Sequence, residues 1–405
     1  MRAIVLAGGG ARGAYEMGAW RALRELGVEY QMVLGTSIGA INGVMMVQGD
    51  YELAEKLWAG LTLDQVMKNG VNLDFNLEVM LRQKAELMNF LRQYINNRGA
   101  DISPLVDLLY RIVDERRVRN SGMDFGLTTF KFPALRGMEV GLEQIPQGKL
   151  VDYLLASAAI FPAFPMRKIG EELFLDGGYF DNLPINMALR RGADQIIAID
   201  LWNSPTHGRY MDRPGILYIH PSRPLGGMLM FEPKSMENSR CLGYLDTLAA
   251  FGRLWGASYR FRPRRGRALN QLADGFALDV LRLEAGLGPR TPFKPLLSAG
   301  GGEPSARDTL LRALEIAAGI FDLEPLRIYD AWHMAGELRE ACGLCLKAIR
   351  GADGLQVVRE KDCATARILE ELDQTGRLEG DIQGLCAAHP EAALAAMALY
   401  RMTKG

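Results

Sequence analysis

The sequence predicts an α/β layer structure with a mainly parallel central sheet over residues 1–260, followed by a largely helical region over 261–405. Three observations carry this. Apolar runs alternate with helical stretches through about the first 220 residues, the pattern of strands joined by crossover helices. The most β-branched run, Gln-Ile-Ile-Ala-Ile-Asp at 195–200, stands late in that region. Past Pro224 the texture changes, and from Glu237 onward it is helical, broken by Gly/Pro punctuation near 263, 288–295 and 300–304.

Taken in order, residues 3–7 read as a buried first strand, and 11–26 as a helix ended by Gly27. Residues 30–34 read as a second strand broken at Gly35, with a new helix from Ile38. Residues 51–119 are mostly helical, with an amphipathic stripe between Leu77 and Ile95 that fits a lid or, more commonly, a helix facing its own core. Strand-like runs return at 127–132, 138–142, 166–169, 173–175 and 216–219, and the Ala-rich end, 387–399, suits an ordinary helix.

The formal net charge is −1, so no global field favours nucleic acid, and none is expected as a partner. Five irregularly spaced cysteines do not form a secreted disulfide framework. The first apolar run stops at three glycines, too short for a signal-peptide core, and no segment reaches the roughly 20 apolar residues of a membrane span. A cytoplasmic location is the expectation, with any lipid met from outside the bilayer as a peripheral contact. Nothing specifies an oligomeric state.

Two glycine motifs stand near the N-terminus. Gly35-Thr36-Ser37-Ile38-Gly39 fits the GxSxG elbow, in which a strand-to-helix turn exposes a serine hydroxyl at a helix N-terminus. Gly8-Gly9-Gly10-Ala11-Arg12-Gly13 follows the first strand, and its unobstructed N–H groups suit an oxyanion hole. Gly8, Gly10 and Gly13 also satisfy GxGxxG, the dinucleotide fingerprint. That rival reading wants a carboxylate at the end of the second strand, where this chain has Leu34 followed by the elbow.

Only 34 residues precede the elbow, too few for the ordinary α/β-hydrolase order. Of the four histidines, His207, His220, His333 and His389, His220 is the credible third member of a triad, though a lone histidine at a strand end is more often structural. The base is therefore sought among carboxylates. Asp176, in Leu175-Asp176-Gly177-Gly178, ends a short apolar run, with Asp181 and Asp200 as competitors.

GGGARG, then GTSIG about 25 residues later, then DGG, together resemble the patatin-like phospholipases. The segment 156–166, Asp181-Asn182-Leu183-Pro184, and GAD at 192–194 are similar to the same family. The resemblance covers about residues 3–205, with a looser continuation to Tyr244. It implies a three-layer α/β/α domain hydrolysing phospholipid, lysophospholipid or neutral lipid esters without metal or cofactor. Ser37 would be the nucleophile and Asp176 its base in a dyad without histidine, with Gly8, Gly9, Gly10, Arg12 and Gly13 forming or shaping the oxyanion hole.

Weaker features have bland readings beside functional ones. The segment 226–231, with Met228, Met230 and Phe231, suits acyl-chain contact or a buried loop. Arg260, Arg262, Arg264, Arg265 and Arg267 would meet anionic headgroups or form a solvated linker. Cys342, Cys345, Cys386 and His389 have zinc-like spacings, but Leu338, Cys342, Cys345 and Ile349 fall on one helical stripe, as core cysteines would.

Overall fold

The computed structural model describes residues 1–68, 100–264, 267–287, 293–297, 304–350 and 359–404. The stripe between Leu77 and Ile95, and Arg265, lie outside the described residues. The chain divides into two units, Met1–Ala250 and Phe251–Gly405. The sequence texture puts this change near 260; the division falls earlier because Tyr259 and Phe261 are buried in the core of the second unit.

The first unit is built on an eight-stranded sheet. Its strands are β1 (Arg2–Leu6), β2 (Met32–Thr36), β3 (Asp124–Phe132), β4 (Arg136–Gly141), β5 (Arg167–Ile169), β6 (Glu172–Asp176), β7 (Gln195–Ile199) and β8 (Ile216–Ile219). The order is β5-β6-β3-β2-β1-β7-β8, with β4 also paired to β3. The β3-β2-β1-β7-β8 part is parallel. β4, β5 and β6 make an antiparallel flank. In β1 the residues from Ala3 to Leu6 are all fully buried, although successive side chains point to opposite faces. Both faces of the central sheet are therefore covered, which makes the unit three-layered. β2 does not break at Gly35: that residue pairs with both Leu6 and Leu127, and its missing side chain leaves room for the following helix. A Cβ there would stand 2.3 Å from the carbonyl oxygen of Gly39.

Register brings distant loops to one level. Leu6 pairs with Gly35, so Gly8 and Ser37 leave adjacent parallel strands side by side. Thr36 pairs with Thr128, and the next residue, Thr129, pairs antiparallel with Asp176. β3 is nine residues long and overshoots β2, and that overhang lets β6 deliver an aspartate beside the elbow.

The second unit is helical, as its sequence texture predicts, apart from the two-residue strands β9 (Arg260–Phe261) and β10 (Ile328–Tyr329). Its helix Pro390–Lys404 is the Ala-rich segment, buried almost all round, so it forms the centre of this unit. Cys342 and Cys386 are buried in the same core, and burial pushes the Cys342 thiol up to about 12. Among the described residues no cluster of three or more His, Cys, Asp or Glu could hold a metal. Among the described residues the arginine cluster does not form a continuous patch. Arg260 is buried with a hydrogen bond to the Gly256 carbonyl, and Arg264 stacks 4.7 Å from the centre of the Trp332 ring.

Within the first unit, α1 (Ala14–Glu25) packs on the helix Pro233–Ala250 through two glycines. A Cβ on Gly18 would stand 1.9 Å from the Arg240 carbonyl oxygen, and one on Gly243 would stand 2.0 Å from that of Tyr15. Both obstacles are backbone, so relief requires the helices to separate. Gly243→Ala should lower unfolding stability by about 1–3 kcal/mol, the usual cost of overpacking. Gly60→Ala, where a Cβ meets nothing within 4 Å, should not. Thermal melts of the two variants compare them directly, and equal melting temperatures would contradict the tight crossing.

Candidate active site

Ser37 joins β2 to α2 (Ile38–Gln48) with φ 55° and ψ −122°, a backbone conformation that L-residues rarely adopt. It stands at the N-cap position, yet its hydroxyl makes no capping bond, so the oxygen is not consumed by its own helix. The Ser37 N–H donates to the Ser157 hydroxyl at 2.8 Å. Gly39 lets the first turn of α2 lie against β1: a Cβ there would stand 2.6 Å from the Ala7 carbonyl oxygen. The positive end of α2 thus lies beside the serine.

Asp176 ends β6 and is 2% exposed. Its Oδ1 accepts the Gly178 N–H at 2.7 Å, while Oδ2 is buried without a hydrogen-bond partner among the described residues. Burial pushes its pKa up to about 6, against the opposing pull of the Gly178 N–H and the neighbouring Ser37 hydroxyl. Direct proton transfer calls for about 2.6–3.2 Å between the two side chains, looser without ligand. The Ser37 hydroxyl is close enough to pull the carboxyl pKa down against the effect of burial.

The glycine loop divides in two. Gly8, Gly9 and Gly10 border the same cavity as Ser37 and Asp176. The Gly8 N–H is taken by the Asn182 carbonyl at 3.1 Å, whereas those of Gly9 and Gly10 have no acceptor among the described residues. Gly10 has φ +57° and approaches the Met228 backbone too closely for a side chain. Arg12 and Gly13 do not line the cavity. Arg12 Nε donates to the Gly226 carbonyl at 2.8 Å, and its guanidinium lies 4.1 Å from the centre of the Trp202 ring. Gly13 is pressed against Ile38, where a Cβ would come within 2.6 Å of Cγ1. These two residues shape the loop and do not face the cavity.

The cavity has a volume of about 700 Å³ and a mostly apolar wall. Met228, Leu229 and Phe231 belong to it, so the segment 226–231 does contribute apolar contact. No histidine lines it among the described residues. His220 follows β8, and its Nδ1 is buried without a hydrogen-bond partner among the described residues. His207 instead approaches Asp181, with Nε2 at 3.4 Å from Oδ1. Asp200 is saturated by the N–H groups of Leu201, Trp202 and Thr206 and the hydroxyls of Thr206 and Tyr218, which makes it a structural carboxylate. For the dinucleotide reading, β2 ends at Thr36 with no carboxylate to hold a ribose.

Sequence reasoning missed the groups that hold these parts together. Ser157 lies in the segment 156–166 noted above, but only packing shows its hydroxyl accepting the Ser37 N–H. Asn182 clamps Gly8 twice, through its own carbonyl and through Nδ2 to the Gly8 carbonyl at 3.0 Å. Thr36 and Thr128 both donate to the Asp181 carbonyl, at 2.8 and 3.1 Å, fixing the turn that follows Asp176. Asn182 follows the DGG by four residues and Thr36 sits inside GTSIG, so proximity to a motif was the only signal available.

Comparison with known proteins bears on this arrangement. A family model described as Patatin-like phospholipase matches residues 4–189. Patatin-like phospholipase domain-containing protein 7 of Mus musculus is 30% identical over 207 residues, covering 49% of this chain and 13% of that protein. Lysophospholipase NTE1 of Mycosarcoma maydis is 26% identical over 203 residues, covering 49% of this chain and 9% of that protein. The match thus takes in a small part of these much longer relatives. The crystal structure of VipD from Legionella pneumophila aligns over 99% of this chain and 90% of that chain, at 14% identity and a TM-score of 0.41. Residues 4–189 of the chain thus match the patatin-like phospholipase family.

Proposed function

We propose that this chain is a serine-dependent carboxylic ester hydrolase acting on lipid acyl groups, with Ser37 as nucleophile and Asp176 as its base. The observation that carries the reading is the meeting of a strained serine, a buried carboxylate with an unpaired oxygen, and two glycines with free N–H groups at one apolar cavity. Relatives named as a phospholipase-domain protein and a lysophospholipase support a glycerolipid ester as substrate.

In this reading Asp176 takes the proton from the Ser37 hydroxyl as its oxygen bonds to the acyl carbon. The carbonyl oxygen becomes an oxyanion held by the N–H groups of Gly9 and Gly10, and the α2 N-terminus adds its dipole. As the tetrahedral species collapses, the acyl–oxygen bond to the alcohol breaks and Asp176 returns the proton to that alcohol. Water then attacks the acyl-serine with Asp176 accepting its proton; as that second tetrahedral species collapses the acyl–Oγ bond breaks, Asp176 returns the proton to Ser37, and the fatty acid leaves. Every proton is accounted for by one carboxylate, so neither metal nor cofactor is required. Among the described residues no helix is long and apolar enough to cross a membrane, and a lipid would be met as a peripheral contact.

A fluorophosphonate probe should label Ser37, and Ser37→Ala should remove both labelling and esterase activity. Full labelling of the variant would exclude this nucleophile.

The glycine assignment predicts a difference between neighbours. Gly9 has φ 173°, open to any residue, and a Cβ there meets the mobile end of Leu201, so Gly9→Ala should fold. Its added methyl displaces a donor, and kcat should fall by about 10²–10³. Gly10→Ala, with a Cβ 2.2 Å from the Met228 carbonyl oxygen, should also lose thermal stability. Normal turnover in folded Gly9→Ala would leave these glycines a purely structural part.

Asp176 makes a prediction in two directions. The base must be ionised, so kcat/KM should fall about tenfold per unit as pH drops below its pKa of about 6. Stability runs the other way. The folded pKa lies above the ordinary 3.8, so the folded chain holds this proton more tightly. The carboxyl therefore favours folding below pH 4, and that contribution is lost as pH rises through 6. Asp176→Asn should abolish activity yet melt no lower than the parent at pH 8. A clear drop in melting temperature there would contradict the burial argument.

A further inference from the structure

The cavity is far larger than a reacting ester group needs, and its walls have a regular origin. On α2, Ile38, Ile41, Asn42 and Met45 line it, spaced as one helical face. On α3 (Tyr51–Gly60) and the residue after it, Ala54, Leu57, Trp58 and Leu61 repeat that spacing. On the helix Ser103–Ile112, Leu105, Leu108, Leu109 and Ile112 repeat it again. Among the described residues, three apolar stripes therefore face one space without closing on each other, although protein interiors normally pack with few voids. The one polar member, Asn42, offers the space no unpaired group. Its Nδ2 donates to Glu16 at 2.7 Å and to the Gly13 carbonyl at 3.1 Å, and its Oδ1 accepts the Trp58 indole N–H at 2.9 Å.

The two ends of the space differ. At one end stand Ser37, Asp176 and the glycine loop, beside Phe161, Tyr179 and Trp202, which line the cavity and are also exposed. Along α2 the lining stops at Met45, and one turn on, Gln48, which is not part of the wall, is hydrogen-bonded on every side. It donates to the Ile112 carbonyl and to Asp50, its Oε1 accepts the Asp114 N–H, and its carbonyl accepts from Arg117. An alkyl chain cannot displace that plug without stranding several polar groups.

We infer that this space is a blind slot for a single acyl chain running along α2, and that Met45 sets the chain length. The inference rests on the hydrolase reading above, because it needs the ester carbonyl at Ser37. Eight residues of helix separate Ser37 from Met45, or about 12 Å, which an extended chain of roughly ten carbons covers. The alcohol then leaves through the aromatic mouth. Each methylene buried in the slot raises kcat/KM by up to about a factor of four. The gain should stop where the slot does.

The test is a series of monomeric p-nitrophenyl esters from butyrate to palmitate, read as kcat/KM against chain length. The parent should gain with length to about ten carbons and then level off or fall. Met45→Trp should move the break to shorter chains and reduce the decanoate-to-butyrate ratio by about tenfold or more. Met45→Ala should move the break to longer chains, and Leu108→Ala gives a second enlargement from a different wall should a bulky residue disturb folding. Selectivity that keeps rising through palmitate in the parent, or a break that none of the three folded variants moves, would overturn the slot. Those results leave the hydrolase reading intact, whereas failure to cleave any ester, or cleavage that survives Ser37→Ala, overturns that reading itself.

Discussion

The backbone at Ser37 lies in a region that costs about 1–3 kcal/mol for a residue with a side chain, and it persists because the chain on either side is clamped. Before it, Gly35 is locked between Leu6 and Leu127 in the sheet. After it, Gly39 lies against the backbone of β1, closer than any side chain would permit. From across the site, Ser157 supplies the acceptor that the Ser37 N–H would otherwise lack. With the helix pulled down onto β1, the serine hydroxyl has no route back into its own helix and faces the cavity. The glycine loop, the aspartate turn and the apolar cavity all meet at that one turn.

Burial of Asp176 shows the conflict such a site contains. A carboxylate with one oxygen unpaired is poorly solvated, and the same desolvation that strains the fold at neutral pH makes the group a stronger proton acceptor. Glu16, under the α1–α2 crossing, is also buried, with a pKa held well above the ordinary carboxylate range by desolvation first, partly offset by its bond to Asn42. The two acids differ in what surrounds them. Glu16 is enclosed with Asn42 and does not line the cavity, whereas Asp176 opens onto it next to Ser37.

Mixed strand directions explain why this needs few residues. A purely parallel sheet would bring the ends of β1 and β2 together, as for any ligand site at the carboxyl ends of parallel strands. It would leave the third group to a long loop. Here the overhang of β3 recruits an antiparallel strand whose last residue is the aspartate, and Thr36, Thr128 and Asn182 tie the following turn back to the elbow. Rigid elements hold Ser37 and Asp176, which suits the sub-ångström tolerances that the proposed acyl transfer would require.

Local chemistry was readable from the chain. Glycine runs between an apolar strand and a helix, a serine on a strand-to-helix turn, and the alternation of β and α segments report on backbone sterics and hydrophobic period, which neighbouring residues fix. So the layer class and the helical second unit could be named in advance, as could Ser37, Asp176 and Gly8 to Gly10, which border one cavity. What the sequence could not contain was anything set by pairing across long separations. The division at Ala250, the inclusion of Gly35 in its strand, and the retreat of Arg12 and Gly13 from the cavity depend on contacts with residues far along the chain. So do the roles of Ser157 and Asn182, 120 and 174 residues from the groups they hold. The cavity belongs to the same class: three helical stripes read alike whether they pack against each other or border a space, and only the tertiary arrangement decided that, among the described residues, they stand apart.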